Sequence, residues 1–499
     1  MQWVLMSASK KFLFLAASLV LLLSCNKGGG GEEAAIAFSQ NPMFVTSESA
    51  VHDCGLICNA SWTASTKDAW VTVLTESGNS GDPLKIRVSS NTGETDRNAS
   101  IKVVAGKTGK VLQLVQYANA ASGFVSETKV NLDTYGKATY ISVNTEDGWN
   151  YTTPEDADWL KLEKRSATAL GISADVNFTG DPRSATFKVR SDDGTKEAEI
   201  TVTQQFSNEK FKASTVYGRK LVYAMGEYIK TVSKDSFTEL TPGVTSFEMS
   251  ATLQDEFGGD TGPKQRNMFL FEVDMTQATI VATLKADNDA NIHTTQKMTE
   301  QLKALQQSRT GITVWGGTNG DFFYTTGDGS TCNLQGVLYR RGVCLNDSFN
   351  DAVCTVFAVF KDGTAHVMSQ AEYATVKTDI QEAVGGRQVL LTDGNKAGFS
   401  DPAQHPRTAV GASRDGKTVW MLVVDGRDEQ YGTGSFSVSY DVLARILKAA
   451  GAYDAINLDG GGSSTYVTRS SGGTLTRRNQ PANSNRVERT VLDGLAIVK

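Results

Sequence analysis

Two copies of one pattern fill the first 206 residues, and nothing else in the chain limits its fold so tightly. In the first copy Trp62 and Trp70 precede Asn91 and Arg97, then the segment NASIKVVAG (98–106) and LQLVQ ending at Gln116. In the second, Trp149 and Trp159 precede Asn177 and Arg183, then SATFKVRSD (184–192) and EAEITVTQQ with Gln204 in the matching place. Arg97 and Arg183 stand 86 positions apart, a length that suits one small domain. Between the landmarks apolar and polar residues alternate: Leu84, Ile86, Val88; Ile101, Val103; Ala185, Phe187, Val189. Period two is the mark of half-buried strands. Forty-seven Gly against nine Pro point to tight turns between those strands. Short strands without a helical stripe predict a β-sandwich for each copy.

The repeat resembles two tandem BACON domains over about residues 34–206, which implies immunoglobulin-like sandwiches at 34–120 and 121–206. Trp62, Trp70, Trp149 and Trp159 could serve as sugar platforms, but a Trp in a sandwich is more often core. The default expectation is therefore a pair of spacers, with glycan contact as the other reading.

The N-terminus has Lys10 and Lys11 followed by the apolar run Phe12–Leu23. Twelve residues are too few to span a bilayer, which needs about 20, but they suit the core of a signal peptide. The run ends in Leu22-Leu23-Ser24-Cys25, which resembles a bacterial lipobox. The resemblance implies a signal peptide at 1–24, lipidation of Cys25, a tether at 25–33, and an exported protein on the cell envelope, with the outer membrane as its address. Export permits disulfides among Cys54, Cys58, Cys332, Cys344 and Cys354, with at least one left over. Four His and no paired CxxC argue against zinc. The balance of 49 Lys+Arg and 55 Asp+Glu, net −6, gives no broad attraction to nucleic acid.

After Asn208 the texture changes to strands mixed with a few helices. TEQLKALQQSR (299–309) reads as a short amphipathic helix. Residues 439–450 read as another, with Ser439 as N-cap, Val442, Leu443, Ile446 and Leu447 as its buried stripe, and Gly451 closing it.

Four segments in this half join a strand to a glycine turn with polar residues: TNGDFF (318–323), HPRTAVG (405–411), DGR (425–427) after Val419–Val424, and NLDGGGSST (457–465). Singly, Asn-Gly and Asp-Gly are hairpin turns. Three glycines in a row are harder to dismiss, because they cost backbone entropy. Such a loop can aim several N–H groups at an anion. No Lys follows it, so it is not a P-loop. No glycine follows its serine as in GxSxG, so Ser463 is not read as a hydrolase nucleophile.

In this order the four segments resemble the phosphodiester glycosidase family. Val384-Gly385-Gly386 with VLLTDG, and Asn479-Gln480-Pro481 with Glu488-Arg489-Thr490-Val491, fit the same pattern. The match covers about 245–499 within a domain placed at 214–499. It implies an α+β fold with a mixed sheet and flanking helices. It also implies hydrolysis of a sugar-1-phosphodiester of the α-GlcNAc-1-phosphate type, releasing free sugar and leaving phosphate on the aglycone. The phosphate calls for Arg407, Arg427 and Arg489, with Thr408 and the amides of Gly460, Gly461, Gly462 and Ser463. The anomeric carbon calls for a carboxylate, nucleophile or base. Asp459 is the first candidate; Asp321 and Asp425 follow. Asn319 and Asn457 could bond sugar hydroxyls or an N-acetyl group. No cofactor is expected; the three Asp could alternatively hold Ca²⁺ or Mg²⁺. The rival function is glycan-phosphate binding without turnover.

Overall fold

The alternation in the N-terminal half becomes two sandwiches. In the computed structural model, which describes residues 34–499 except 46, 48, 94–95, 118–123, 146, 210 and 327–330, the first repeat packs a five-stranded sheet against a three-stranded one. The second packs four strands against three. The signal peptide, Cys25 and the tether lie outside the described residues. Leu84, Ile86, Val88, Ile101 and Val103 are buried in the first core, and Phe187 and Val189 in the second.

The landmarks of the repeat are an internal clamp. Arg97 Nε donates to Gln116 Oε1 at 2.9 Å, and Arg183 Nε to Gln204 Oε1 at 2.8 Å. Each guanidinium lies over a Trp ring, Arg97 on Trp70 at 4.4 Å and Arg183 on Trp159 at 4.5 Å. The glutamine amides donate in turn to the carbonyls of Ser89 and Asp175. Trp62 and Trp149 are buried. All four Trp are thus engaged within the sandwiches.

The C-terminal half is α+β. Its largest sheet has eight strands in the order Ile229–Thr241, Val244–Leu253, Lys264–Asp274, Thr418–Val424, Arg407–Ala412, Asp454–Leu458, Val389–Thr392, Asn395–Lys396. Helices Val216–Met225 and Tyr440–Ala450 cover one face. A five-stranded sheet containing Val314–Asn319 and Asp493–Val498 packs against the other. Helix Met298–Ser308 closes the outer side of that second sheet. A third sheet, including Ile380–Gly386, completes the layer. Paired strands in this half run antiparallel, and parallel pairs among the described residues occur in the two sandwiches.

Helix Tyr440–Ala450 buries Val442, Leu443, Ile446 and Leu447, and Gly451 ends it at φ 115°. Ser439 holds the N-cap position, but its hydroxyl donates to Asp255 Oδ1 at 2.7 Å instead of capping the helix. The five described cysteines are free thiols.

Candidate active site

Strand ends collect the site. Val314–Asn319, Thr418–Val424 and Asp454–Leu458 finish where Asp493–Val498 and Arg407–Ala412 begin. Antiparallel neighbours start beside their partners' ends. Asn319, Asp425, Asp459, Asp493 and Arg407 therefore meet at one end of the two packed sheets.

Asn319 ties three of the motifs together. Its Nδ2 donates to the Asp459 carbonyl at 2.6 Å, and its Oδ1 accepts from Thr408 Oγ1 at 2.9 Å and from Thr465 N at 3.1 Å. The Ser464 hydroxyl, 3.3 Å from Thr408 Oγ1, can donate to it in turn. Asn319 and Thr408 are fully buried, so they position the glycine loop and do not face a substrate.

Each loop glycine has its own neighbour. A Cβ on Gly460 would lie 2.7 Å from the Pro406 carbonyl oxygen. Gly461 has φ +62°, and a Cβ there would lie 3.0 Å from Arg427 Nη2. A Cβ on Gly462 would stand 3.5 Å from Arg489 Cδ. The expected cradle of loop amides is partly spent: Gly461 N donates to Pro406 O and Ser463 N to Gly460 O. Positive charge here comes instead from Arg427 and Arg489. Arg427, left-handed at φ 64°, anchors Nη1 on the Ala482 carbonyl at 3.0 Å. Arg489 is exposed, 5.4 Å over the Phe323 ring. Neither makes an ion pair among the described residues (compare the paired arginines elsewhere).

Asp459 is half-buried at the loop entrance. Burial pushes its carboxyl up to about 6, opposed by the nearby Ser463 hydroxyl, by Arg489 and by the Gly460 amide. The fully buried Ser463 Oγ makes no well-formed hydrogen bond. Both amide atoms of the buried Asn457 are likewise without partners.

Asp321 and Asp493 form a buried carboxyl pair behind Asp459. Asp321 accepts from Phe322 N at 2.7 Å and Gly336 N at 2.6 Å, and its own N–H donates to Asp493 Oδ1 at 2.8 Å. Burial, then the charge of Asp493, holds Asp321 well above the usual carboxylate range. Burial, with Asp459 adding to it, pushes Asp493 up to about 7. Asp493 Oδ2 has no partner. Asp493 escaped the sequence reading, although Asp493-Gly494 opens a strand as other site motifs close one.

Two residues singled out from the sequence reach this end of the sheets with their side chains committed to other partners. Arg407 is buried on the helix side of the sheet, where it donates to the Val438 and Ala403 carbonyls and stacks 3.8 Å over Tyr440. Its fork is committed to the fold and not to a phosphate. Asp425 accepts from Asn479 Nδ2 and Gln480 N, each at 3.0 Å. Among the described residues no three His, Cys, Asp or Glu are grouped to hold a metal ion.

Residues 313–498 match the phosphodiester glycosidase family, and residues 60–116 and 149–205 match the BACON domain family. The chain thus carries a phosphodiester glycosidase domain behind two BACON domains. Among solved structures it is similar to the catalytic domain of zebrafish N-acetylglucosamine-1-phosphodiester alpha-N-acetylglucosaminidase. The identity is 20% over 53% of this chain and 87% of that one, with a TM-score of 0.40. A protein from Synechocystis is 11% identical over 83% of this chain and 82% of its own, with a TM-score of 0.35. No curated protein matches.

Proposed function

We propose that this enzyme, through its phosphodiester glycosidase domain, hydrolyses a sugar-1-phosphodiester on a glycan, releasing free sugar and leaving phosphate on the aglycone. The observation that carries the reading is Asp459, a half-buried carboxyl at the entrance of the glycine loop, with Arg489 acting on it and Arg427 against Gly461, neither arginine in an ion pair among the described residues.

The chemistry follows from the charges. The leaving group is a phosphate monoester, which departs as an anion and needs electrostatic stabilisation more than a strong acid. Arg427 and Arg489 flank the glycine loop and can neutralise it. At neutral pH Asp459 is largely ionised and can act at the anomeric carbon, as nucleophile or as base for water. The Asp321–Asp493 pair keeps a proton at that pH, which spares Asp459 two full negative charges behind it.

The apolar run and Leu22-Leu23-Ser24-Cys25 support a lipid anchor on the cell envelope, at the outer membrane. The BACON domains would then be spacers that hold the catalytic domain off the membrane. The test is the full chain assayed against a panel of sugar-1-phosphodiesters with both products identified. Free sugar plus an aglycone phosphomonoester is the expected pair. A sugar-1-phosphate product, or binding without turnover, would refute the proposal.

A further inference from the structure

Lys234, Ser250, Asn267 and Asp425 stand in one row across four neighbouring strands. Lys234 is registered with Ser250 and Ser250 with Asn267, and the Asp425 N–H donates to the Asn267 carbonyl at 3.0 Å. At about 4.8 Å between strands the row spans roughly 14 Å. Arg477 and Arg478 help to close it into a cavity of about 260 Å³.

Its charges do not balance. Arg478 is bidentate to Glu248, at 2.6 and 3.1 Å, so those two cancel. Lys234 has no ion pair or hydrogen bond, and Arg477 no carboxylate partner, among the described residues. Asp425, at the floor, is the nearest compensation. Burial pushes its carboxyl up to about 7, so near neutrality much of its charge is withheld. Two cations therefore open on a space smaller than the ~300–1,000 Å³ of a typical small-molecule site. That size suits one charged substituent rather than a sugar chain.

The cavity also has an address. Asp425 is two residues from Arg427, and Asn479 donates to both the Asp425 carboxylate and the Ser464 carbonyl. One side chain thus separates the cavity from the glycine loop. We infer that this cavity is a second anion site, which takes a phosphate or carboxylate substituent on the aglycone of the phosphodiester held by Arg427 and Arg489. The inference rests on the reading under Proposed function and narrows its substrate to glycans carrying a further anionic group.

The experiment compares sugar-1-phosphodiesters whose aglycones are neutral, phosphorylated or carboxylated, using the full chain and its Lys234→Ala and Arg477→Ala variants. An anionic aglycone should lower KM in the parent protein. Each variant should raise that KM about twofold to fivefold, the range for partly exposed ion pairs, while kcat and the neutral-aglycone KM hold. The phosphate and carboxylate arms tell which anion is preferred. Indifference of the parent to aglycone charge, or an equal loss on the neutral substrate, overturns the inference. If no substrate is turned over, the catalytic reading fails and the cavity is judged alone. Inorganic phosphate should then raise the Tm of an Arg427→Ala/Arg489→Ala protein, and adding Lys234→Ala should remove that rise. An unchanged rise would count against the cavity.

Discussion

The side-chain amide of Asn319 donates to the main-chain carbonyl of Asp459 at 2.6 Å, across 140 positions of sequence. With its oxygen bonded to Thr408 and Thr465, this one buried side chain holds the loop that carries the proposed catalytic carboxylate.

Replacing Asn319 by Ala leaves the Asp459 carbonyl and the Thr465 N–H short of a partner, and the Thr408 hydroxyl with Ser464 alone. Buried groups so stranded cost about 1–3 kcal/mol each, and partial relaxation should bring the total to about 3–5 kcal/mol. Denaturant unfolding should show that loss, and kcat of the folded protein should fall with it. A folded variant with parental kcat would mean that Asp459 is placed by other contacts.

The pH dependence of kcat/KM should rise with a midpoint near 6, because Asp459 acts ionised and its carboxyl is held at about 6. Arg489 stabilises the carboxylate and lowers that value. Arg489→Ala removes a cation, so the limb should move to higher pH while activity drops at every pH. Asp459→Asn should lower kcat by about 10²–10⁴-fold, the usual contribution of a catalytic acid or base, with a smaller effect on inhibitor Kd. A pH profile unmoved in Arg489→Ala would detach the limb from Asp459.

The glycines should differ among themselves. Gly460→Ala drives a Cβ to 2.7 Å from the Pro406 carbonyl, backbone that cannot easily retreat. Gly461→Ala meets the end of the flexible Arg427 side chain but must keep φ +62°, a left-handed cost of about 1–2 kcal/mol. Thermal melts should rank Gly460→Ala as the more damaging, and Gly461→Ala should show itself mainly in KM through a displaced Arg427. The reverse order would place the loop differently against Pro406.

The N-terminal half was legible because its information is periodic. Alternation at Leu84–Val88 and Phe187–Val189 fixes which faces are buried, and the repeated Arg and Gln at 97, 116, 183 and 204 found each other as a pair in both copies. The site was legible only as a set of turns. NGDFF and NLDGGGSST could be picked out because their glycines permit close approach. Which polar side chain faces inward, and toward which sheet face, depends on register that no spacing encodes. Arg407 and Thr408 are adjacent in one strand and so must leave it on opposite faces, but only the packing decides that Arg407 goes onto Tyr440 and Thr408 onto Asn319. Asp493 was missed for the complementary reason: it starts a strand, and only antiparallel pairing with Val314–Asn319 brings it to Asp321.

Membrane attachment should depend on Cys25, since its sulfur is the acyl acceptor that the lipobox resemblance implies. Cys25→Ala should not label with radioactive palmitate. A variant that labels and fractionates like the parent would refute the anchor.

Removal of the sandwiches should separate stability from chemistry. The second sandwich is docked on helix Val216–Met225: Arg219 Nη1 donates to the Phe178 carbonyl at 3.0 Å, and its guanidinium lies over Phe206. Phe211 is fully buried against Phe178, and Tyr223 stacks with Tyr135. A chain begun at about residue 210 loses Phe178, Phe206 and Tyr135, so the buried Phe211 becomes exposed and Tyr223, already half open to solvent, loses its ring contacts. Uncovering an aromatic of this size costs about 1.5–3 kcal/mol, which should appear as a lower Tm. None of Asn319, Asp321, Arg427, Asp459, Arg489 or Asp493 touches the sandwiches through the bonds described above, so kcat on small soluble substrates should be unchanged. Arg219→Ala in the full chain should reproduce part of the Tm loss without touching kcat, which identifies the interface as its source. A truncated protein that melts cooperatively but turns over more slowly would show that the BACON domains build part of the active site, and the spacer role would have to be abandoned.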